Sequence, residues 1–296
     1  CEAFNILRKH SALIINMHVL MKDAHIPDFE KAGERGIMTV AERFRMDMSD
    51  EEFCRSIGKD ENSKFLKRML KSSKIQNHMF TSDVPTITKT RIVSQRQQIV
   101  RIDREVTFTD ELLAKKMLNK IIHKYRNQVI IISDYLKGLC SNSFTKNLIK
   151  ISKEYNIKVF IDPKGNDWSK YTGATLIKPN FQELKDVIGM DIKNDDESIV
   201  KYGRKILKKY KIDYMLVTRS YKGMTLIEKN NFYHIHSQAK EVYDVSGAGD
   251  TIISTLVFAL INGNDIKNAS KIANKAAGLV IGKFGTSRVN IKDLNI

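Results

Sequence analysis

The sequence predicts an α/β fold built on a mostly parallel sheet, with a small second sheet beside it. Three observations carry this. Short apolar runs, of the kind buried on both faces of a sheet, alternate with stretches of helical spacing from residue 106 onward. Two strictly alternating, β-branched stretches precede them. The apolar runs end in polar clusters, as strands do where a parallel sheet opens onto a ligand.

In chain order, Ala12-Leu13-Ile14-Ile15 is the first candidate strand. Thr86 to Ser94 and Gln98 to Asp103 are the alternating pair, joined by a polar turn. Glu111 to Arg126 carries Leu112, Leu113, Met117, Ile121, Ile122 and Tyr125 at helical spacing, and Val129-Ile130-Ile131-Ile132 follows as a strand. The pattern then repeats: helix Ser143 to Tyr155, strand Lys158 to Ile161, strand Thr175 to Ile177, and a helix from about Phe181. Helix Glu197 to Lys209 and strand Tyr214 to Thr218 complete it. Such alternation argues for parallel strands joined by right-handed crossovers.

Composition bounds the function. A chain of 296 residues with 42% apolar and 28% charged residues buries a full core. No run of 18 apolar residues and no signal-peptide pattern is present, so neither a membrane partner nor export is expected. Cys1, Cys54 and Cys140 are few and far apart, which fits a reducing cytoplasm. The net charge of +16 admits a nucleic-acid partner, but the lysines are scattered over helical faces such as Lys201 to Lys211 and are not interleaved with aromatics. The expectation is no nucleic acid, and a basic field that draws in phosphorylated small molecules.

The stretch Val242 to Thr251 is the most specific feature. Gly247, Ala248 and Gly249 let the backbone approach an anion, and the helix that begins there aims free N–H groups and its positive dipole end at the same point. Asp250 at that mouth suits a general base that takes a proton from a hydroxyl while amides hold a phosphoryl group. The plain alternative is a glycine-containing turn capped by Asp250. Further polar clusters stand at strand ends: Ser133-Asp134, Asp162-Pro163-Lys164, Lys178-Pro179-Asn180 and Thr218-Arg219-Ser220. Four of them beside the cradle read as one site built from several loops. The alternating pair is either an edge hairpin with solvated charges, or a lid from which Lys89, Arg91, Gln98, Arg101 and Asp103 reach a substrate.

These residues resemble a known family. Asp244 to Asp250, read as Asp-x-x-Gly-Ala-Gly-Asp, is similar to the second signature of the ribokinase-like, or PfkB, sugar kinases. Pro179 to Glu183 resembles that family's Asn-x-x-Glu element, and Thr218 to Ser220 with Gly223-Met224 its nucleotide loop. Lys89-Thr90-Arg91, Gln97-Gln98, Arg101 to Asp103, Ser133 to Gly138, Asp162 to Gly165 and Ala239 to Thr251 resemble, more narrowly, the D-glycero-β-D-manno-heptose 7-phosphate kinases. The likeness runs from about residue 57 to 288.

It implies a ribokinase-like three-layer α/β/α fold with a β lid around residues 84–105, over a single kinase domain spanning 1–296. It implies transfer from ATP with Mg2+ to the anomeric hydroxyl of a heptose 7-phosphate, on the route to ADP-heptose and lipopolysaccharide. Asp250 would be the base and Gly247, Ala248 and Gly249 the cradle. Asn180, Glu183, Thr218, Ser220, Gly223 and Asn274 would serve the nucleotide, with Glu183 also toward the metal. Lys89, Arg91, Gln98, Arg101, Asp103, Asp134, Lys137 and Lys164 would hold the sugar phosphate. A lid sheet in this family often pairs with a partner's, so a homodimer is expected.

Residues 1–56 depart from the pattern. Asn16-Met17-His18 follows the first strand where the family has sugar-holding carboxylates, and Arg35 to Ala41 lacks the first glycine and the asparagine of the Gly-Gly-Ala-x-Asn segment. Alternatively, Cys1 to Asn5 is the tail of that segment and residues 16 to 55 are an insertion. Arg96 stands where the family usually has Asn. Heptose kinases often carry a C-terminal nucleotidyltransferase domain; with the chain ending at Ile296, that activity is not expected. Two classes therefore stand: a sugar kinase, and a degenerate kinase fold that binds nucleotide or sugar phosphate without turnover.

Overall fold

A computed structural model describes residues 12–16, 20–25, 52–72, 76–81, 83–94, 97–107, 129–239, 242–243, 245, 247–282, 289 and 291–294. The helix expected at 111–126 lies outside them, as do residues 1–11, 17–19 and 26–51 of the region 1–56 expected to diverge. The main sheet has nine strands in the order β12-β11-β10-β9-β8-β7-β1-β3-β4. Its strands are β1 (Ala12–Asn16), β3 (Glu52–Ile57), β4 (Gln76–Thr81), β7 (Val129–Ser133), β8 (Lys158–Asp162), β9 (Leu176–Ile177), β10 (Tyr214–Thr218), β11 (Met224–Ile227) and β12 (Phe232–Ile235). All pairings from β4 to β10 are parallel, and β11 and β12 return antiparallel at one edge.

The sheet is a middle layer because its strands alternate between two cores. On β7, Ile130 and Ile132 face one and Ile131 the other; on β8, Val159 and Ile161 face one and Phe160 the other; on β10, Met215 and Val217 oppose Leu216. Strands buried on both faces read as continuous apolar runs, which is why Val129–Ile132 and Tyr214–Thr218 were legible. The first core is closed by α2 (Asn142–Glu154), α3 (Phe181–Ile188) and α4 (Asp196–Tyr210). The second is closed by α1 (Glu61–Ser72), α5 (Ala248–Ile261) and α6 (Ile266–Ile281), with the short α7 (Ile291–Leu294) against α6. The starts of α2, α4 and α6 are set by side-chain caps: Ser141 on Phe144 N, Asp195 on Ser198 N and Asp265 on Asn268 N. None of the helices among the described residues is long and apolar enough to cross a membrane.

The second sheet has three strands, β2 (Leu20–His25), β5 (Thr88–Ser94) and β6 (Gln97–Arg104), in the order β2-β5-β6. β5 and β6 form an antiparallel hairpin with Lys89 opposite Asp103, Arg91 opposite Arg101 and a register shift at Ile92/Val93. The alternating stretch starts two residues later than its sequence pattern. Thr86 is diverted to Asp60: its N–H lies 2.7 Å from Oδ2, its hydroxyl lies 2.8 Å from Oδ1, and that hydroxyl also takes Gly58 N at 3.0 Å. A Cβ at Gly58 would meet Val84 O at 2.6 Å, so this crossing requires glycine. The N-terminal region joins both sheets. β1 lies between β7 and β3 in the main sheet, and β2 pairs in parallel with β5.

Candidate active site

Four strand ends meet at the carboxyl edge of the main sheet. Asp134 N donates to Asp162 O at 3.0 Å, Lys178 N to Ile161 O at 2.8 Å and Thr218 N to Pro179 O at 2.9 Å, so each connection is stitched to its neighbour. The cleft they surround has a volume of about 720 Å³. One end is lined by Asp134, Tyr135, Asp162, Lys164, Lys178, Glu183, Ala248 and Gly249; the other by Thr218, Ser220, Gly223, Met224, Asn274 and Gly278.

At the first end, Gly247 is the N-cap of α5 with φ 78°, a left-handed geometry that favours glycine. Having no side chain, it offers the helix no capping group, and the first helical amide, Ala248 N, donates back to Val245 O at 3.2 Å. Asp250 lies in that first turn, 5% exposed, and Tyr135 donates its hydroxyl to Asp250 Oδ1 at 3.4 Å. Lys178, also buried, ion-pairs with Asp162 Oδ1 at 2.9 Å. Burial pushes the Asp162 carboxyl up to about 6, aided by the Asp250 and Glu183 charges and opposed by Lys178. Burial pulls the Lys178 ammonium down, but Asp162 outweighs it and leaves it above its ordinary value.

Asn180 and Glu183 form a capping box at the start of α3. Glu183 N donates to Asn180 Oδ1 at 2.8 Å, and Asn180 N donates to Glu183 Oε2 at 2.9 Å. Lys164 Nζ reaches Glu183 Oε1 at 3.0 Å. Lys164, a sugar-phosphate candidate at the end of β8, is thus paired with the candidate nucleotide carboxylate. Asp134 is turned inward: Tyr171 donates to its Oδ2 at 2.7 Å, Lys170 pairs with the same oxygen at 2.5 Å, and Leu136 N donates to Oδ1 at 2.8 Å.

The other end is shaped by a fixed loop. Ser220 has φ 55° and Gly223 φ 85°; a Cβ at Gly223 would stand 2.1 Å from Ile235 O, so that position admits glycine only. Arg219, 2% exposed, anchors the loop. Its guanidinium bonds Asn194 Oδ1 at 2.8 Å, Asn194 O at 3.0 Å and Thr225 Oγ1 at 2.8 Å, and ion-pairs with Asp196 in the first turn of α4. Asn274 donates from Nδ2 to His236 O at 2.7 Å, tying α6 to the strand that backs the loop.

The small sheet gathers a second group. Lys89 Nζ lies 3.3 Å from Asp103 Oδ2 and 2.6 Å from Glu105 Oε1; Lys137 pairs with Glu105 Oε2; Arg101 Nε donates to Asp103 Oδ1 at 2.9 Å. Burial works to raise the Glu105 carboxyl, but Lys137 and Lys89 hold it below its ordinary range. The side chains of Arg91 and Gln98 lie outside the described residues. Asp162, Lys178, Tyr135, Arg219 and Glu105 are members of the two groups that sequence reasoning did not single out. Three of them stood inside the strand-end clusters, where parallel register alone would have placed them together. Glu105 continues the odd-numbered face of Arg101 and Asp103 one step past the strand.

Carboxylates give hard oxygen donors suited to Mg2+, which keeps several waters and needs only one or two of them beside substrate phosphates. Among the described residues no group of three or more His, Cys, Asp or Glu could hold a metal by itself, so a magnesium ion here would share its shell with phosphate oxygens.

Residues 38–293 match the model of the pfkB family carbohydrate kinases. The bifunctional protein HldE of Actinobacillus pleuropneumoniae is 44% identical over 244 residues, 80% of this chain and 50% of that protein. The protein of the same name from Haemophilus influenzae is 42% identical over 241 residues, again 80% and 50%. The chain therefore spans about half the length of the curated relatives it matches. Phosphofructokinase-2 from Escherichia coli superposes with a TM-score of 0.83 at 14% identity, covering 96% of this chain and 97% of that one. Ribokinase from Giardia lamblia gives 0.75 at 16%, covering 97% and 99%. At those identities the likeness is one of fold, and it is the ribokinase-like fold. The family model covers most of the sequence, and the glycine turn at the start of α5, the capped Asn-x-x-Glu turn and the Thr218–Met224 loop converge on one cleft: this chain belongs to the pfkB family of carbohydrate kinases.

Proposed function

We propose that this kinase transfers the γ-phosphoryl group of ATP to the anomeric hydroxyl of D-glycero-β-D-manno-heptose 7-phosphate, giving the 1,7-bisphosphate used for ADP-heptose and lipopolysaccharide core. The observation that carries the reading is Asp250, buried in the first turn of α5 behind an uncapped glycine N-terminus. The hydroxyl oxygen attacks the γ-phosphorus, its proton passes to the Asp250 carboxylate, and ADP leaves. The positive dipole end of α5, bare of side chains at Gly247 and Gly249, and the Lys178 ammonium face the charge that develops on the transferred group. Mg2+, when bound, neutralises the β- and γ-phosphate oxygens; Glu183 and Asp162 are the carboxylates nearest to hand. Thr218, Ser220, Gly223 and Asn274 line the nucleotide end.

The heptose 7-phosphate is supported by the two relatives named HldE and by the cationic small sheet. The register there sets Arg91 directly opposite Arg101. Like charges across a strand pair are unfavourable unless an anion lies between them, and a phosphate gripped by paired guanidinium donors is such an anion. We read the whole of residues 1–296 as one kinase unit acting in the cytoplasm, with the small sheet as its lid. Val100 and Ile102, alternate residues of β6, are 43% and 55% exposed, an apolar face that suits a second copy of the chain in a homodimer.

ADP release measured over a panel of sugar phosphates tests the assignment. Heptose 7-phosphate should be the best acceptor, and Asp250→Asn should lower turnover by roughly 10²- to 10⁴-fold with little change in nucleotide affinity. Near-normal turnover in that variant would remove the base assignment. A better unphosphorylated pentose or hexose acceptor would remove the heptose.

A further inference from the structure

Glu105 has an unusual placement. It follows β6 directly, yet its two carboxylate oxygens are divided between different parts of the fold: Oε1 faces Lys89 of β5 at 2.6 Å, and Oε2 pairs with Lys137 in the loop after β7. All three side chains are largely buried, at 23%, 18% and 20% exposure. The loop that carries Lys137 also carries Asp134 and Tyr135, which line the cleft. Glu105 thus ties the small sheet to the cleft wall through the two ammonium groups nearest to both. Asp103 differs, since its partners Lys89 and Arg101 both belong to the hairpin.

We propose that Glu105 is an internal competitor for the phosphate of the sugar substrate: its carboxylate holds Lys89 and Lys137, and the phosphate must displace it to take them. The proposal rests on the reading of this sheet as the phosphate grip. A carboxylate between two ammonium groups mimics one edge of a phosphate monoester, with a single charge in place of nearly two. A dianionic phosphate wins that exchange; a neutral sugar hydroxyl cannot. Glu105 then acts through the two lysines as a specificity device. It weakens every anion somewhat, and it leaves unphosphorylated sugars without an opened lysine pair.

Glu105→Gln keeps the shape and removes the charge. Its KM for the sugar phosphate should fall about fivefold, with kcat and the KM for ATP within about twofold of wild type. Inorganic phosphate, titrated by calorimetry against the nucleotide-free protein, should bind the variant more tightly by a similar factor. A KM or phosphate dissociation constant that rises or stays unchanged overturns the competitor role and leaves Glu105 a simple strut. Thermal unfolding establishes that the variant is folded. Should it be unstable, Glu105→Asp is measured instead: its carboxylate is one methylene too short to hold Lys89 and Lys137 together, so a gain in phosphate affinity supports the proposal, and an unchanged or weaker affinity overturns it. Should wild type accept no phosphorylated sugar, the substrate reading fails, while the phosphate titration still decides the role of Glu105.

Discussion

Lys178 Nζ lies 2.9 Å from Asp162 Oδ1, and the backbone of Gly249 closes over the pair: a Cβ at that glycine would stand 3.3 Å from Nζ and 3.8 Å from Asp162 Oδ2. The glycine cradle therefore serves two purposes. It keeps side chains off the dipole end of α5, and it lets an ammonium approach the same point from the sheet side. Gly249→Ala should force Lys178 to shift by a few tenths of an ångström. The expected outcome is a loss of turnover of about tenfold or more, with the unfolding temperature changed by only a few degrees. Unaltered turnover in steady-state assays would show that Lys178 is not held against the transferred group.

The Asp162 carboxyl, raised to about 6 from 3.8, makes a pH prediction with a definite sign. Between those values the folded protein holds a proton that the unfolded chain has released. Stability from this group is complete below pH 4 and is lost as pH rises through 6. Asp162→Asn has no such dependence. The unfolding free energy of wild type minus that of the variant should therefore decrease by about 2 kcal/mol from pH 4 to pH 7. Denaturant titrations at the two pH values check this, and a constant difference would mean that Asp162 is ionised throughout.

Much of the fold could be read because β7, β8 and β10 are apolar on both faces and α2, α4 and α6 start at side-chain caps. The cradle could be read because Gly247-Ala248-Gly249-Asp250 has few structural uses. Pairings that depend on register could not. Nothing in Leu20–His25, with its Lys22 and Asp23, announces a strand beside β5, because this stretch has neither a continuous apolar run nor strict alternation. Asp162 and Lys178 belong to separate clusters 16 residues apart, and only the β8–β9 pairing joins them. Lys164 follows β8 beside Pro163, and its long side chain carries the charge to Glu183. Long flexible side chains are the ones whose destination a sequence position fixes least.

Glu183 is claimed by two roles, and a variant separates them. As half of a capping box it stabilises the start of α3, and as the partner of Lys164 it lines the end of the cleft that holds Lys178 and Gly249. Glu183→Gln keeps a side chain able to accept from Asn180 N, so the stability cost should stay near 1 kcal/mol or less. If its charge also serves the metal, the Mg2+ concentration giving half-maximal rate should rise several-fold at saturating ATP. An unchanged magnesium titration would leave Glu183 as a helix cap alone.

Arg101 decides whether the small sheet reads the substrate. It stands opposite Arg91 in the hairpin, donates to Asp103, and is 46% exposed, so its own ion pair contributes little to folding. Removing its charge should leave the unfolding temperature nearly unchanged. A guanidinium that grips a phosphate through paired charged hydrogen bonds is another matter, since its loss is felt only when that phosphate is present. Arg101→Gln should raise KM for heptose 7-phosphate by roughly tenfold and leave KM for ATP within about twofold. The effect should shrink at high salt, because exposed charges are screened. With an unphosphorylated sugar the same variant should behave as wild type. A substitution that weakens phosphorylated and unphosphorylated acceptors equally would mean that Arg101 shapes the hairpin and does not touch the phosphate. One that changes neither constant would make the hairpin a solvated edge.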